Sequence, residues 1–344
     1  MSFLQISFMK KMNNKIFSPY TVLIISILLL LASIAVSLCF GAVSLSPARL
    51  LADLYGNGDG SALQIIYHVR FPRTIATLLA GSGLAVAGMV IQSVLNNPLA
   101  SPGIIGVNAG AGFMATLICA LFPAQMGMLP LAAFLGALLA VMLVYGIGRA
   151  TGASRITIVL AGVAVSSILS AGTDTIVTLV PDALTGSSMF RIGGVTGITL
   201  SSVFPQGFVM LAAMAAVFFL RHEIDVLALG TETAQSLGLN VKFYRFLLLS
   251  LAALLAGSAV SFAGLIGFVG LLIPHIARRL AGPQSRILVP CCMLMGSSFL
   301  TFCDLLARTL FSPYEIPVGL VLSLLGGPFF LWLLLHQKRR IRHD

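Results

Sequence analysis

The chain has 344 residues, 58% of them hydrophobic and only 9% charged, with a mean hydropathy of +1.04. That balance excludes a soluble enzyme and describes a polytopic helical membrane protein; a β-barrel would alternate rather than run apolar. The net charge of +10 is no nucleic-acid footprint, because the basic residues fall at the ends of apolar runs, where they set topology.

Lys10, Lys11 and Lys15 precede an apolar run from Tyr20 to Val43. The run is too long for a signal h-region and lacks a small-x-small cleavage site. It reads as an uncleaved first span behind a cytoplasmic N-terminus, residues 1–19, with Met9 and Met12 as alternative starts. From Thr74 to Gly148 there is no Asp, Glu, Lys, Arg or His. At about 1.5 Å per residue, against roughly 30 Å of hydrocarbon, this stretch exceeds one span. It can turn near 96–103 and at Phe122-Pro123-Ala124-Gln125. The segment NNPLASPGIIGVNAGAG, residues 96–112, is a turn and a helix start poor in bulky residues. Its backbone polar groups must face other protein or water. Close packing through small residues and the lining of a conduit both fit.

Apolar runs place about ten transmembrane helices in an all-α fold, at 20–42, 71–95, 104–122, 128–148, 156–180, 203–220, 246–263, 265–277, 288–307 and 317–335. The chain, 1–344, is then a single transmembrane domain. With the N-terminus inside, 15 of the 20 Lys and Arg residues are cytoplasmic. Arg49, Arg70, Arg73, Arg191 and Arg308 are the outer ones. The bias puts both termini in the cytoplasm, including the basic tail at 336–344. Leu78-Leu79-Ala80-Gly81-Ser82 recurs as Leu254-Leu255-Ala256-Gly257-Ser258. These fall in spans two and seven, which run oppositely in this topology, so two inverted-repeat halves are expected.

Cys39, Cys119, Cys291, Cys292 and Cys303 form no C-x-x-C pair and read as small packing residues, with no metal site. Residues 221–245 form the one long polar segment on the cytoplasmic side. Gly230 suits a left-handed cap, Thr231 an N-cap, Glu232 the positive start of a helix, and Gly238 its end. Helices this short need packing against the membrane domain or a partner. A plain connector is the alternative.

Glu232-Thr233-Ala234-x-x-x-Gly238 resembles the E-A-A-x-x-x-G coupling loop of ABC importer permeases, with Thr for the second Ala. Arg70-Phe-Pro-Arg73-Thr and Asn97-Pro-Leu-Ala-x-Pro-Gly103 resemble the permease family for ferric siderophores, haem and cobalamin. So do Gly267-Phe-Val-Gly270-Leu-Leu-Ile-Pro-His275-Ile-Ala-Arg278 and Asp304-x-x-x-Arg308 followed by Glu315-Ile-Pro-Val-Gly319. The resemblance runs from about 45 to 335. It implies ten helices per subunit and a second permease subunit, same or paralogous, across a central path. It also implies two cytoplasmic ATPase subunits and an extracytoplasmic substrate-binding protein. By that resemblance Glu232, Thr233, Ala234 and Gly238 couple to the ATPase. Asn97, Pro98, Pro102, Gly103, Asn108, Gly267 and Gly270 belong to the translocation path. Arg70, Arg73 and Arg308 face carboxylates of the binding protein.

Local pairing of Asp304 with Arg308, four residues on, is the alternative for that arginine. Asp174 lies within the fifth span, as a partner of Thr173, Thr175 or another helix, or as a proton site. His275 has no second His at ligand spacing. No Walker Gly-x-x-x-x-Gly-Lys-Ser/Thr occurs, so the chain binds no cofactor of its own and any ATP is used by a partner. A proton-coupled transporter would need more buried ionisable groups than Asp174 supplies. Among ferric siderophore, haem and cobalamin, the siderophore is favoured by the family's breadth alone.

Overall fold

The computed structural model describes residues 18–41, 53, 55, 60–151 and 155–341; the expected N-terminal lysines, Arg49 and the last residues of the basic tail lie outside them. Regular structure among these residues is entirely helical. The helices are α1 (Pro19–Cys39), α2 (Phe71–Leu95), α3 (Val107–Leu121), α4 (Leu129–Ala150), α5 (Arg155–Leu179), α6 (Asp182–Ile192) and α7 (Leu200–Phe219). After them come α8 (Arg221–Ala228), α9 (Thr231–Ser236), α10 (Val241–Ala263), α11 (Val269–Ala281), α12 (Ser285–Thr309) and α13 (Val318–Ile341). A short helix, Ser61–Ile65, and a π-turn, Ile66–Arg70, lead straight into α2.

Among the described residues, seven helices are long and apolar enough to cross a bilayer: α1, α2 with its lead-in, α4, α5, α7, α10 and α12. The expectation of ten is met by seven on those grounds. The apolar stretches of α3 and α13, Val107–Leu121 and Val318–Trp332, are shorter, and α11 has 13 residues. The remaining differences have local causes. Asn240 caps α10 by accepting from the Phe243 N–H at 3.2 Å, so that helix begins at 241 rather than 246. Gly264 and Phe268 both have positive φ (71° and 64°), which holds the chain off the helix until Val269 rather than 265. Helix α6 escapes an apolar scan because Asp182, Gly186, Ser187, Ser188 and Arg191 dilute it.

Helix α2 is the axis of the bundle. Of its membrane window 83% is buried, against 17% for α1. Small residues make this depth feasible. Gly81 abuts the backbone of Gly296 in α12 and Gly88 the Gly270 carbonyl of α11, each too closely for a side chain, while Gly83 faces the end of the Met210 side chain of α7. The molecule has two distinct ends. One holds the start of α2 and the close of α12; the other holds α8, α9 and the turn after α2. Helices α2 and α10 run in opposite directions between them.

Candidate functional site

The start of α2 places Arg73 where α12 brings Asp304. Arg73 donates from Nε and Nη2 to both Asp304 oxygens at 2.9–3.1 Å, and from Nη1 to Glu315 Oε2 at 2.6 Å. Asp304 also faces Arg308 one helical turn on, at 3.7 Å. Arg308 donates to the Ser37 carbonyl and hydroxyl at 2.9 and 2.7 Å, and Arg70 to the carbonyls of Leu38 and Cys39 at 2.6 Å. These are the last carbonyls of α1, and the two guanidinium groups cap them.

The three arginines expected to face carboxylates of a binding protein are therefore turned inward. Arg70, Arg73 and Arg308 are only 3%, 5% and 2% exposed, because carboxylates and helix-end carbonyls draw each guanidinium inward. For Arg308 the local pairing holds. What the sequence concealed was Arg73, whose partners lie 231 and 242 residues away.

At the opposite end α2 stops at Asn96, in left-handed conformation (φ 48°), and the chain turns through Asn97–Gly103. Asn97 Oδ1 accepts from the Leu99 N–H at 3.0 Å, and Pro98 is exposed. Pro102 is buried against Gly270, where an added Cβ would lie 3.0 Å from Pro102 Cδ. Gly103 faces the Asn108 amide, and Gly267 stands in open space at the break before α11. The structure thus unites Pro102 with Gly270 and Gly103 with Asn108, while Asn97, Pro98 and Gly267 occupy the turn and the break.

Segment 221–240 folds much as its residues suggest. Ala234 is fully buried, while Glu232, Thr233, Gln235, Ser236 and Gly238 are exposed. Gly238 has φ 82°; its N–H reaches Gln235 O at 2.9 Å, and Leu239 N–H reaches Ala234 O at 3.0 Å. That pair of bonds is a Schellman close. One expectation fails: Thr231 is not the N-cap. Gly230 holds that position, and the Thr231 hydroxyl accepts from Arg245 at 3.2 Å instead, tying α9 to α10. A second tie went unread: Asp225 of α8 accepts from Ser285 N–H at 2.9 Å, at the start of α12. Leu229 and Leu237, 62% and 63% exposed, flank the polar face of α9.

Asp174 is exposed on α5. The Thr173 and Thr175 hydroxyls bond carbonyls of their own helix rather than its carboxylate. His275 is half-buried, and no cluster of metal-ligating side chains occurs among the described residues.

Comparison with known proteins fits this geometry. The model of the FecCD transport family matches residues 28–336. The Fe(3+)-citrate import system permease protein YfmE of Bacillus subtilis is 35% identical, over 96% of this chain and 100% of its own. The vitamin B12 import system permease protein BtuC of Klebsiella pneumoniae is 35% identical, over 91% and 93%. A solved metal-chelate type ABC transporter, in an inward-facing conformation, superposes with a TM-score of 0.83 at 29% identity, covering 92% of this chain and 99% of that one. The chain belongs to the FecCD transport family, as a multi-pass permease component of an ABC importer.

Proposed function

We propose that this permease carries ferric siderophores across the bacterial cytoplasmic membrane, driven by ATP hydrolysis in two partner subunits that dock on segment 221–240. The observation that carries the docking is α9. A six-residue helix is unstable alone, yet this one is clamped by Ala234, Thr231–Arg245 and the Gly238 close while its polar face stays free. Glu232, Thr233 and Gly238 present that face, and Ala234 seats it. The 221–240 end is cytoplasmic, as are both termini, in keeping with the distribution of Lys and Arg. A second permease subunit completes the path, to which Asn97, Pro98, Pro102, Gly103, Asn108, Gly267 and Gly270 contribute small and amide-bearing surface. The opposed α2 and α10 are equivalent members of two inverted halves making up ten spans. A binding protein delivers the cargo at the Arg73 end. There the arginines act by holding helix ends in place rather than as exposed charges.

The test is uptake in a deletion strain supplied in turn with radiolabelled ferric hydroxamate, ferric citrate, haemin and cobalamin. Loss of a ferric siderophore alone is the expected result. Loss of haemin or cobalamin uptake with iron chelates unaffected would reassign the cargo.

A further inference from the structure

Within α11, Pro274 has no N–H to offer the carbonyl of Gly270, one turn back. A carbonyl left open at membrane depth needs a donor from another helix. Gln92 of α2 supplies it. Its side chain is buried, 2% exposed, and Nε2 donates to the carbonyls of Gly270 and Leu271, each at 3.4 Å. Its Oε1 accepts from Arg278 Nη1 at 2.9 Å, a charge-assisted bond. The backbone carbonyl of Gln92 in turn accepts from Asn97 N–H at 3.0 Å, where the turn to Gly103 opens. Pro102, in that turn, rests on Gly270. The amide therefore binds the start of α11 and its basic close, and the backbone of the same residue holds the turn beside it. The far end of α11 is fixed as well: after Gly282-Pro283-Gln284, Ser285 is held by Asp225 of α8.

We propose that Gln92 is a positioning residue for transport. Its amide clasps α11 to α2, so that a displacement of α8 and α9 reaches the Asn97–Gly103 turn instead of dissipating in the break at 264–268. Packing alone would be served by an apolar side chain. A buried amide is costly unless bonded, and here both its oxygen and its nitrogen are used. This role rests on the permease reading above.

The test uses the full-length permease. Gln92→Leu removes both functions. Gln92→Glu keeps a partner for Arg278 but turns an oxygen on the two carbonyls. Each lowers initial ferric chelate uptake per folded permease about tenfold, with Gln92→Glu still reaching wild-type membrane levels. Adding Pro274→Ala to Gln92→Glu returns an N–H to the Gly270 carbonyl and recovers about threefold. Wild-type uptake by both single variants, or a Gln92→Glu loss indifferent to Pro274→Ala, overturns the role. A wild-type chain that transports none of the chelates, haemin or cobalamin overturns the permease reading instead. The clasp is then judged by thermal unfolding of purified protein, where Gln92→Glu must lower the midpoint and Pro274→Ala restore it.

Discussion

At the Arg73 end of the bundle, guanidinium and carboxylate groups turn toward one another. Arg73 and Asp304 retain 6% and 2% of their side-chain exposure, and the last carbonyls of α1 absorb Arg70 and Arg308. At the 221–240 end, Arg245 and Asp225 tie short helices to their neighbours, while Glu232 and its neighbours stay open. The first arrangement fixes three helices in one geometry. The second leaves a seated surface that a partner can grip and move. Buried charge serves shape at one end, and polarity stays exposed at the other.

The largest effect should come from breaking the closed end. Arg73→Ala takes from Asp304 and Glu315 the cation that bonds them both and leaves Asp304 only Arg308 at 3.7 Å, a loss of about 3 kcal/mol. Thermal unfolding of the purified protein should show a much lower midpoint, with Arg73→Lys in between. A wild-type midpoint for Arg73→Ala would dissolve the contrast between the ends. Next comes Gly88→Val, which forces α2 away from the Gly270 carbonyl at a cost of about 1–3 kcal/mol. Cysteine pairs across α2 and α11 should then cross-link less readily than in the parent.

At the open end the effects are smaller in stability and larger in transport. Gly238→Val meets no neighbour, since nothing lies within 4 Å of an added Cβ, but φ 82° costs a β-branched residue about 1–2 kcal/mol. Membrane levels should hold while uptake and co-purification of the ATPase fall together; full uptake with a normal complex would make the segment a connector. Glu232→Lys is the mildest, opposing the start of α9 by about 0.3–1 kcal/mol. Its membrane level should match wild type, and ATPase co-purification should weaken without vanishing.

What could be read from the sequence follows the range of each interaction. Gly238, Ala234 and the Asp304–Arg308 pair act within a turn or two, so spacing exposes them. Arg73 meets Asp304 and Glu315 only once α2 and α12 lie side by side, and read alone it looks like a free surface cation. Gln92 sits in an uncharged run, where an amide carries little signal. The start of α11 depends on positive φ at Phe268, which no residue preference foretells.

The brevity of α11 has a mechanical meaning. Thirteen residues make a rod of about 20 Å. It is jointed at Gly264–Phe268 and moored to α8 beyond its other end. Tied to α2 near its start and at its basic close, so short a rod acts as a stiff strut, passing a push at its far end to the turn beside Gly270 with little bending.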